Sequence, residues 1–202
     1  MKRMKTLVIL AGGKSSRMGQ DKVLLKLDGM TFIERIFRNA QPYFGRIIIS
    51  TDSIRHADAI KSLPFFSEGL CSVAPEFVTD IYSEAGPMGG ILSVFEKTDA
   101  PRFSVISVDV PFADAEVLAG LYDHCVKKAC CLRLPGRRSE PLIAAYDRAA
   151  YDDIKSAFEK GIYKMRAALR PEDTDILTDD TPQAAAAFRN FNTPGELAGL
   201  LS

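Results

Sequence analysis

Residues 6–22 read TLVILAGGKSSRMGQDK and join a short apolar run to a loop rich in glycine and positive charge. The run 6–10 has the length and the unbroken apolar composition of a strand covered on both faces of a sheet. In open α/β sheets, ligands bind beyond the carboxyl ends of the strands. The stretch therefore predicts a first strand that leads directly into a binding loop.

The composition of this loop suits a nucleoside triphosphate. Gly12 and Gly13 lack a Cβ, so their backbone N–H groups can approach phosphate oxygens closely. Lys14, Arg17 and Lys22 can neutralise the phosphates, and an arginine can bind two oxygens at once. The loop is neither a Walker A sequence nor a GxGxxG sequence, which argues against an ATPase or a dinucleotide dehydrogenase. A plain strand-to-helix turn with solvated charges is the alternative reading.

The rest of the chain continues this pattern. Strand-like runs such as RIIIST, EFVTD and RFSVISVD alternate with helical patterns, which predicts βαβ units. We expect an α/β protein: a single-domain, Rossmann-like, three-layer αβα sandwich with a mostly parallel sheet. The segment CCLRLPGRRSEPLIAAYDR predicts two strands with a tight connection, an antiparallel excursion near the C-terminal third. We expect residues 1–202 to form one domain, with a nucleotide-binding part over about residues 1–110 and an acceptor-binding part over about 111–202.

Charge and apolar patterning exclude several function classes. The chain has 202 residues, 47% of them apolar, with 26 basic and 26 acidic side chains. This balance provides no general field for nucleic acid or a membrane surface, so we expect neither as a partner. No run is long enough to span a membrane, and the N-terminal apolar run is too short for a signal peptide.

Cysteine and histidine usage restricts the chemistry further. The four cysteines form no CxxC pair, so we expect buried thiols in a cytoplasmic protein. With only two histidines, both in helical patterns, a histidine-rich zinc centre is excluded. The chemistry must therefore rely on Asp, Glu, Lys, Arg and backbone groups, which suits Mg²⁺ and phosphate.

Three further features follow predicted strands. Asp109 in SVDVPF places a carboxylate at the ligand edge of the sheet, and Asp80 ends the strand EFVTD. Gly86 and Gly90 in GPMGGI form a glycine turn into a helix, where unpaired N–H groups can bind an anion or hydroxyl groups. The alternatives are turn aspartates for Asp80 and Asp109, and close helix packing for the glycines.

Five blocks together carry a family resemblance. LAGGKSSRMGQDKVLLKLDG, GPMGGI, SVDVPF, EPLIAAYDR and FRNFNTPGEL resemble, in the same order, blocks of the molybdopterin nucleotidyltransferases, in particular those that make molybdopterin guanine dinucleotide. The resemblance covers nearly the whole chain. It implies transfer of GMP from Mg·GTP to the terminal phosphate of molybdopterin, with release of pyrophosphate, and transient contact with other molybdenum cofactor biosynthesis proteins and molybdoenzymes.

The resemblance also implies roles for individual residues. It makes Asp109 the Mg²⁺ ligand and a catalytic residue, together with Arg17 and Lys22, and it places Asp80 against the nucleoside. The acceptor side takes Lys164, Asn190 and Asn192, although Asn192 could equally cap the following turn. The full set implied for nucleotide binding is Leu10, Ala11, Gly12, Gly13, Lys14, Arg17, Lys22, Asp80, Gly86, Gly90 and Asp109.

The sequence leaves some alternatives open. The family often has two arginines where GIYKMR offers Tyr163, Lys164 and Arg166, so the acceptor could differ, and the contact made by Glu140 is unresolved. Related cytidylyltransferases tend to have LAAG where this chain has LAGG, so Gly12 favours guanine over cytosine. Cytidylyl transfer, transfer to another phosphorylated acceptor, and a noncatalytic nucleotide-binding relative remain the rivals.

Overall fold

The computed structural model describes residues 4–12, 22–82 and 85–191. The strands of this part of the chain are β1 (Thr6–Leu10), β2 (Lys26–Leu27), β3 (Met30–Thr31), β4 (Arg46–Thr51), β5 (Pro75–Thr79), β6 (Arg102–Ser107), β7 (Ala129–Arg133), β8 (Glu140–Asp147) and β9 (Thr174–Thr178). The α-helices are α1 (Phe32–Ala40), α2 (Ile54–Lys61), α3 (Pro64–Ser67), α4 (Pro87–Lys97), α5 (Ala115–His124), α6 (Tyr151–Glu159), α7 (Met165–Ala168) and α8 (Pro182–Ala187). Short 3₁₀ helices cover Lys22–Leu24, Arg148–Ala150 and Pro171–Asp173.

Seven strands form one sheet in the order β5-β4-β1-β6-β8-β7-β9. β5, β4, β1 and β6 pair in parallel, β8 is antiparallel to both β6 and β7, and β9 pairs in parallel with β7. Of these strands only β8 therefore runs against the others. The predicted antiparallel excursion is confirmed, because β7 and β8 form the expected antiparallel pair.

Helices cover both faces of the sheet, because successive strand residues point to opposite sides. In β1, Leu7 and Ile9 enter the core cluster that also contains α1 and α5 residues. Val8 and Leu10 enter the cluster on the other face, with α4 and α6. All five β1 residues are buried, as a strand covered on both faces requires. The predicted three-layer α/β architecture is confirmed.

Local signals explain where several helices begin and end. The side chain of Thr31 accepts a hydrogen bond from the Glu34 backbone at the start of α1, and Asp114 caps α5 in the same way. Gly161 follows α6 at φ 75°, the conformation that commonly ends a helix at glycine. The run AYDDIKSAFEKG predicts a helix that stops at Gly161, and this prediction is confirmed.

Some elements were not predicted. Asp28 and Gly29, at φ 51° and 78°, turn the chain between β2 and β3. Most of α8 lies in the run QAAAAF, for which no element is predicted. The run TPGELAGLL, in which Thr193 and Pro194 predict the start of a last helix, lies outside the described residues. No helix in the described part of the chain is long and apolar enough to cross a membrane.

The thiols do not all match their predicted environment. Cys125, Cys130 and Cys131 are buried, but Cys71 is only partly buried, so the expectation was wrong for that residue. Cys71 precedes β5 in a loop that the helices do not cover completely. Burial raises the pKa of Cys130 to about 11 and the pKa values of Cys125 and Cys131 to about 12. These three thiols stay protonated at neutral pH and are poor nucleophiles.

The hydrogen bonds of the Arg148 side chain are expected to stabilise the fold, and a substitution can test this. Its guanidinium donates to the carbonyl oxygens of Phe95 at 2.8 Å, Thr98 at 2.7 Å and Ala100 at 3.1 Å, which joins the C-terminal end of α4 to the segment before β6. We expect Arg148→Met to lower the free energy of unfolding by about 3 kcal/mol, since these charged hydrogen bonds have no substitute donor. Urea unfolding measures the change.

Arg170→Met is the matched control for this measurement. The Arg170 side chain is 79% exposed, so its loss is expected to change the free energy of unfolding by less than about 0.5 kcal/mol. Equal effects of the two substitutions would contradict a role for the Arg148 hydrogen bonds.

Candidate active site

The carboxyl ends of four parallel strands are joined edge to edge by backbone hydrogen bonds just beyond the sheet. Ala11 N donates to Ser50 O at 2.8 Å, Asp80 N to Thr51 O at 2.8 Å, and Val108 N to Leu10 O at 3.1 Å. The loops after β1, β4, β5 and β6 therefore start side by side. This edge is where open parallel sheets bind their ligands.

Close backbone approach forms the floor of this edge. A Cβ at Gly12 would lie 3.1 Å from the backbone nitrogen of Asp52 and 3.4 Å from Oδ2 of Asp80. A Cβ at Gly90 would lie 2.9 Å from Oγ of Ser50. A Cβ at either position would require its neighbours to shift. Close packing of α4 against the sheet therefore accounts for glycine at position 90, and that packing also brings α4 close to Asp80, while the predicted nucleotide contact of Gly90 stays a prediction.

Asp80 forms part of this floor, and one of its carboxylate oxygens accepts a hydrogen bond. Ser50 Oγ donates to Asp80 Oδ1 at 2.6 Å, and the backbone of Gly12 lies near Oδ2. Burial raises the pKa of Asp80 to about 6; the Ser50 hydrogen bond opposes this rise, and the Asp52 carboxylate adds to it. A half-desolvated carboxylate in this position can accept hydrogen bonds from a polar ligand edge.

Gly86 starts α4 in a conformation that side-chain-bearing residues avoid, with φ 57° and ψ −145°. A Cβ there would meet nothing within 4 Å, so the backbone angle and not packing requires glycine. Pro87 follows as the first helical residue, a position where proline needs no N–H partner. The N-terminal end of this 11-residue helix therefore lies at the same edge of the sheet.

Asp109 lies in a turn directly after β6. Val110 N donates to Ser107 O at 3.2 Å to close the turn, and Phe191 N donates to the backbone oxygen of Asp109 at 2.8 Å. The carboxylate oxygen Oδ1 is buried and has no hydrogen-bond partner among the residues that the structure describes. A turn-forming aspartate normally satisfies its carboxylate on nearby N–H groups. The unpaired oxygen therefore favours a ligand-binding role over the turn-forming alternative.

Asp109 opens into a cavity of about 370 Å³, here called the Asp109 cavity. Pro87 belongs to its wall, so the first turn of α4 connects the Asp80 floor with the cavity. Arg166 also lines it and lies 3.6 Å from Glu140. Its other polar lining includes Ser107, Arg137, Glu140, Tyr163, Lys164 and Asn190.

Two aromatic anchors place Asn190 at this cavity. Phe188 and Phe191 are buried on either side of it, and the Phe191 ring packs edge-on against Phe32 and Phe112 with centroids 6.4 and 5.7 Å away. Asn190 itself is exposed and lines the cavity. The segment is thus fixed by apolar burial while the amide stays available to a ligand.

Asp109, the predicted Mg²⁺ ligand, suits a metal site that protein and substrate share. No group of three His, Cys, Asp or Glu side chains that could hold a metal ion occurs in the described ranges 4–12, 22–82 and 85–191. The buried, unpaired Oδ1 of Asp109 is a suitable oxygen ligand. Mg²⁺ is commonly held by one or two carboxylates, with substrate phosphates and water as the other ligands. Asp109 fits such a shared site, and Mg²⁺ itself stays a prediction.

The predicted residues do not all lie in one place. Gly12, Asp80, Gly86 and Gly90 meet at the sheet edge, and Asp109, Lys164 and Asn190 share the Asp109 cavity. Leu10 and Ala11 are buried. The backbone oxygen of Leu10 accepts a hydrogen bond from Val108 N, and the backbone nitrogen of Ala11 donates one to Ser50 O. Lys22 begins the first 3₁₀ helix. Gly13, Lys14, Arg17 and Asn192 lie outside the described residues.

Sequence reasoning missed Ser50 and Arg137. Ser50 ends the run RIIIST at the carboxyl end of β4, so the same search that found Asp80 after β5 could have found it. Arg137 carries no such signal, because it lies in the connection between β7 and β8. Only the folding of that connection against α7 brings it to the cavity.

The architecture and the site define a class: a Rossmann-like α/β protein with a ligand site at the carboxyl edge of its parallel strands. A model of the MobA-like NTP transferase domain matches residues 7–176. The chain therefore belongs to the MobA-like NTP transferase family, and the resemblance inferred from its sequence blocks is confirmed.

Curated relatives match along nearly their whole length. The molybdenum cofactor guanylyltransferase of Ralstonia nicotianae is 28% identical over 208 residues, which cover 96% of this chain and 95% of the relative. A probable molybdenum cofactor guanylyltransferase of Halalkalibacterium halodurans is 27% identical over 195 residues, with 95% and 94% covered.

Solved structures agree on the fold. The molybdopterin-guanine dinucleotide biosynthesis protein A of Archaeoglobus fulgidus superposes with a TM-score of 0.75 at 24% identity, covering 96% of this chain and 95% of that protein. A 4-diphosphocytidyl-2C-methyl-D-erythritol synthase of Anaerococcus prevotii gives 0.72 at 12% identity, with 98% and 96% covered. The fold is thus shared by proteins whose names indicate different nucleotides, and it cannot by itself identify the base.

The environment of Asp80 gives a testable pH dependence. Removing the hydroxyl donor in Ser50→Ala is expected to raise the pKa of Asp80 above about 6, because the ionised form loses its hydrogen bond. Asp52→Asn is expected to lower it, because a neighbouring negative charge is removed. Carboxyl ¹³C NMR titration of Asp80 measures both, and shifts in the same direction would contradict this account.

The same pKa has a consequence for stability. Because burial raises the Asp80 pKa above that of an exposed carboxyl, ionised Asp80 destabilises the folded state at and above about pH 6. This cost disappears as the pH falls through about 6 towards about 4, the range of an exposed carboxyl.

Proposed function

We propose that this protein is a molybdenum cofactor guanylyltransferase, which transfers GMP from GTP to the terminal phosphate of molybdopterin and releases pyrophosphate. The observation that carries the proposal is the buried Oδ1 of Asp109, which has no partner in the described part of the chain, in a residue that lines the same cavity as Lys164 and Asn190. The names of the curated relatives support the choice of nucleotide and acceptor.

The two parts of the site suit two substrates. On this proposal the nucleoside lies over the Asp80 floor, which is formed where Gly12 and Gly90 pack closely against their neighbours. The acceptor phosphate enters the Asp109 cavity, whose described lining contains the cations Arg137, Lys164 and Arg166 and the anions Asp109 and Glu140. Pro87 touches this cavity while Gly90 touches the floor, so the first turn of α4 lies between the two substrates.

The transfer needs no general base. A phosphate monoester oxygen is ionised near neutral pH and attacks the α-phosphorus of GTP directly. A new phosphorus–oxygen bond forms, the bond from the α-phosphorus to the bridging oxygen of the β-phosphate breaks, and pyrophosphate carries away the electron pair. This agrees with the site, since neither histidine lines the Asp109 cavity.

Catalysis then consists of orientation and charge compensation. Mg²⁺, when bound, would neutralise charge on the triphosphate, and Asp109 is the residue that would hold it. Lys22 would bind the phosphates from the start of the first 3₁₀ helix, together with Arg17. Lys164 and Asn190 would orient the acceptor, with lysine acting as a point charge where an arginine would grip two oxygens.

Substitutions at Asp109 and Lys22 test the catalytic assignment. We expect Asp109→Asn and Lys22→Ala each to lower kcat/KM by roughly a hundred- to a thousandfold, about 3 to 4 kcal/mol of barrier. Pyrophosphate release with GTP, Mg²⁺ and molybdopterin measures the rate, and circular dichroism checks the fold. Lys61→Ala, which removes an exposed lysine paired with Asp58 on α2, is the control. Turnover near wild type in either site variant would remove that residue from the mechanism.

Nucleotide choice needs its own assay. We expect pyrophosphate release with GTP and molybdopterin, and release at least tenfold slower with CTP or ATP. Release with CTP alone would assign the protein as a cytidylyltransferase. Tight GTP binding without release in the presence of molybdopterin would leave only a nucleotide-binding role.

A further inference from the structure

A second cavity, here called the arginine cavity, lies beside the Asp109 cavity and has a volume of about 520 Å³. Four arginines line it: Arg133 from the end of β7, Arg137 and Arg138 from the connection to β8, and Arg166 from α7. None of the mechanistic roles above requires Arg133 or Arg138. The cavity therefore needs an explanation of its own.

The charge of this lining is one-sided. No aspartate or glutamate is among the described residues that line the cavity. The chain as a whole carries 26 basic and 26 acidic side chains, so this concentration of positive charge is local. Neither Arg137 nor Arg138 has an ion pair or side-chain hydrogen bond with any residue in the described ranges. A concave surface of one sign raises the local concentration of the opposite charge.

The lining of the cavity also has an apolar part. Met165, Leu169 and Ile176 contribute apolar side chains, and Tyr146 contributes an aromatic ring. The volume is in the range of sites that bind small molecules. A lining that combines arginines with apolar side chains fits a ligand with an anionic group on a planar or apolar body, since guanidinium groups match phosphate oxygens in pairs.

We propose that the arginine cavity binds a small phosphorylated ligand with a planar or apolar body, at a site separate from both the Asp80 floor and the Asp109 cavity. The phosphate lies among Arg133, Arg137 and Arg138, and the body lies over Met165 and Ile176. The proposal rests on this lining and does not depend on the proposed function.

Binding in the arginine cavity can affect the Asp109 cavity, because the two cavities share part of their lining. Arg137, Pro141, Met165 and Arg166 line both cavities. Arg166 also faces Glu140 at 3.6 Å across this shared wall. A phosphate that attracts Arg137 and Arg166 into the arginine cavity withdraws them from the Asp109 cavity. The anionic group that binds in the arginine cavity therefore belongs either to a separate molecule, which competes for these arginines, or to the acceptor, as a second anionic group of that substrate.

The test uses 1-naphthyl phosphate as the probe, with binding followed by its fluorescence. We expect millimolar or tighter binding by the wild-type protein, weakened about a hundredfold in Arg133→Ser/Arg138→Ser, with about tenfold for each guanidinium lost. Lys164→Ala and Lys22→Ala, which lie outside the cavity, should leave the affinity unchanged, as should the exposed control Arg170→Ser. Uncharged 1-naphthol should bind at least tenfold more weakly than the phosphate.

Three outcomes would overturn the proposal. These are no binding of the probe at millimolar concentration, equal binding by the double variant, or loss of binding in Lys164→Ala with retention in the double variant. Binding of an acidic glutamate peptide that depends on Arg133 and Arg138, without binding of the probe, would also overturn it, in favour of a protein-docking surface along β9. Urea unfolding of each variant checks that the fold is intact.

Activity measurements then distinguish the two sources of the ligand. If the anionic group belongs to the acceptor, the double variant raises KM for the acceptor and leaves KM for GTP unchanged. If it belongs to a separate molecule, the basal KM values are unchanged and only the response to the added phosphate is lost. Failure of guanylyl transfer would leave the binding measurements with 1-naphthyl phosphate unaffected, so the two proposals can fail separately.

Discussion

The site depends on the alignment of four strand ends, held by backbone hydrogen bonds just past the sheet. The bond from Ala11 N to Ser50 O fixes the exit of β1 against β4, and the bond from Val108 N to Leu10 O fixes it against β6. Because β1 lies between these strands and is buried on both faces, its exit cannot move without disturbing both core layers. The loop that follows Gly12 and the turn that carries Asp109 therefore start from fixed positions.

Helix α4 imposes a second constraint on this edge. Its Gly90 approaches Ser50 so closely that a Cβ would lie 2.9 Å from Oγ, and the same hydroxyl holds Asp80. Gly86 turns the chain into the helix at a positive φ. Packing and site geometry are thus linked. Gly90 allows α4 to approach the sheet closely, and this approach also sets the distance between α4 and the Asp80 carboxylate. Asp80 remains partly desolvated, which keeps its pKa near 6.

The part of the Asp109 cavity that carries Lys164 and Asn190 is built differently, from the reversed strand β8 and the segments around it. Lys164 precedes the four-residue helix α7, and Asn190 lies between two buried phenylalanines. Arg137 and Arg166 stand between two cavities of comparable size, one with carboxylates and one without. Short elements and connections carry most of these side chains, as is common for binding residues that a rigid sheet positions.

The α/β architecture could be predicted from the sequence, because short unbroken apolar runs such as LVIL and IIIS alternate with helical patterns. Asp80, Asp109 and the glycines could be predicted as candidates, because each follows a strand or begins a helix at the ligand edge. The packing of the layers was needed to show that Ser50 donates to Asp80, that Asp109 Oδ1 has no partner among the described residues, and that one cavity is lined by Arg133, Arg137, Arg138 and Arg166. These facts depend on contacts between residues far apart in the chain. Periodicity and motif spacing report only local structure, whereas long-range contacts are fixed when the layers pack.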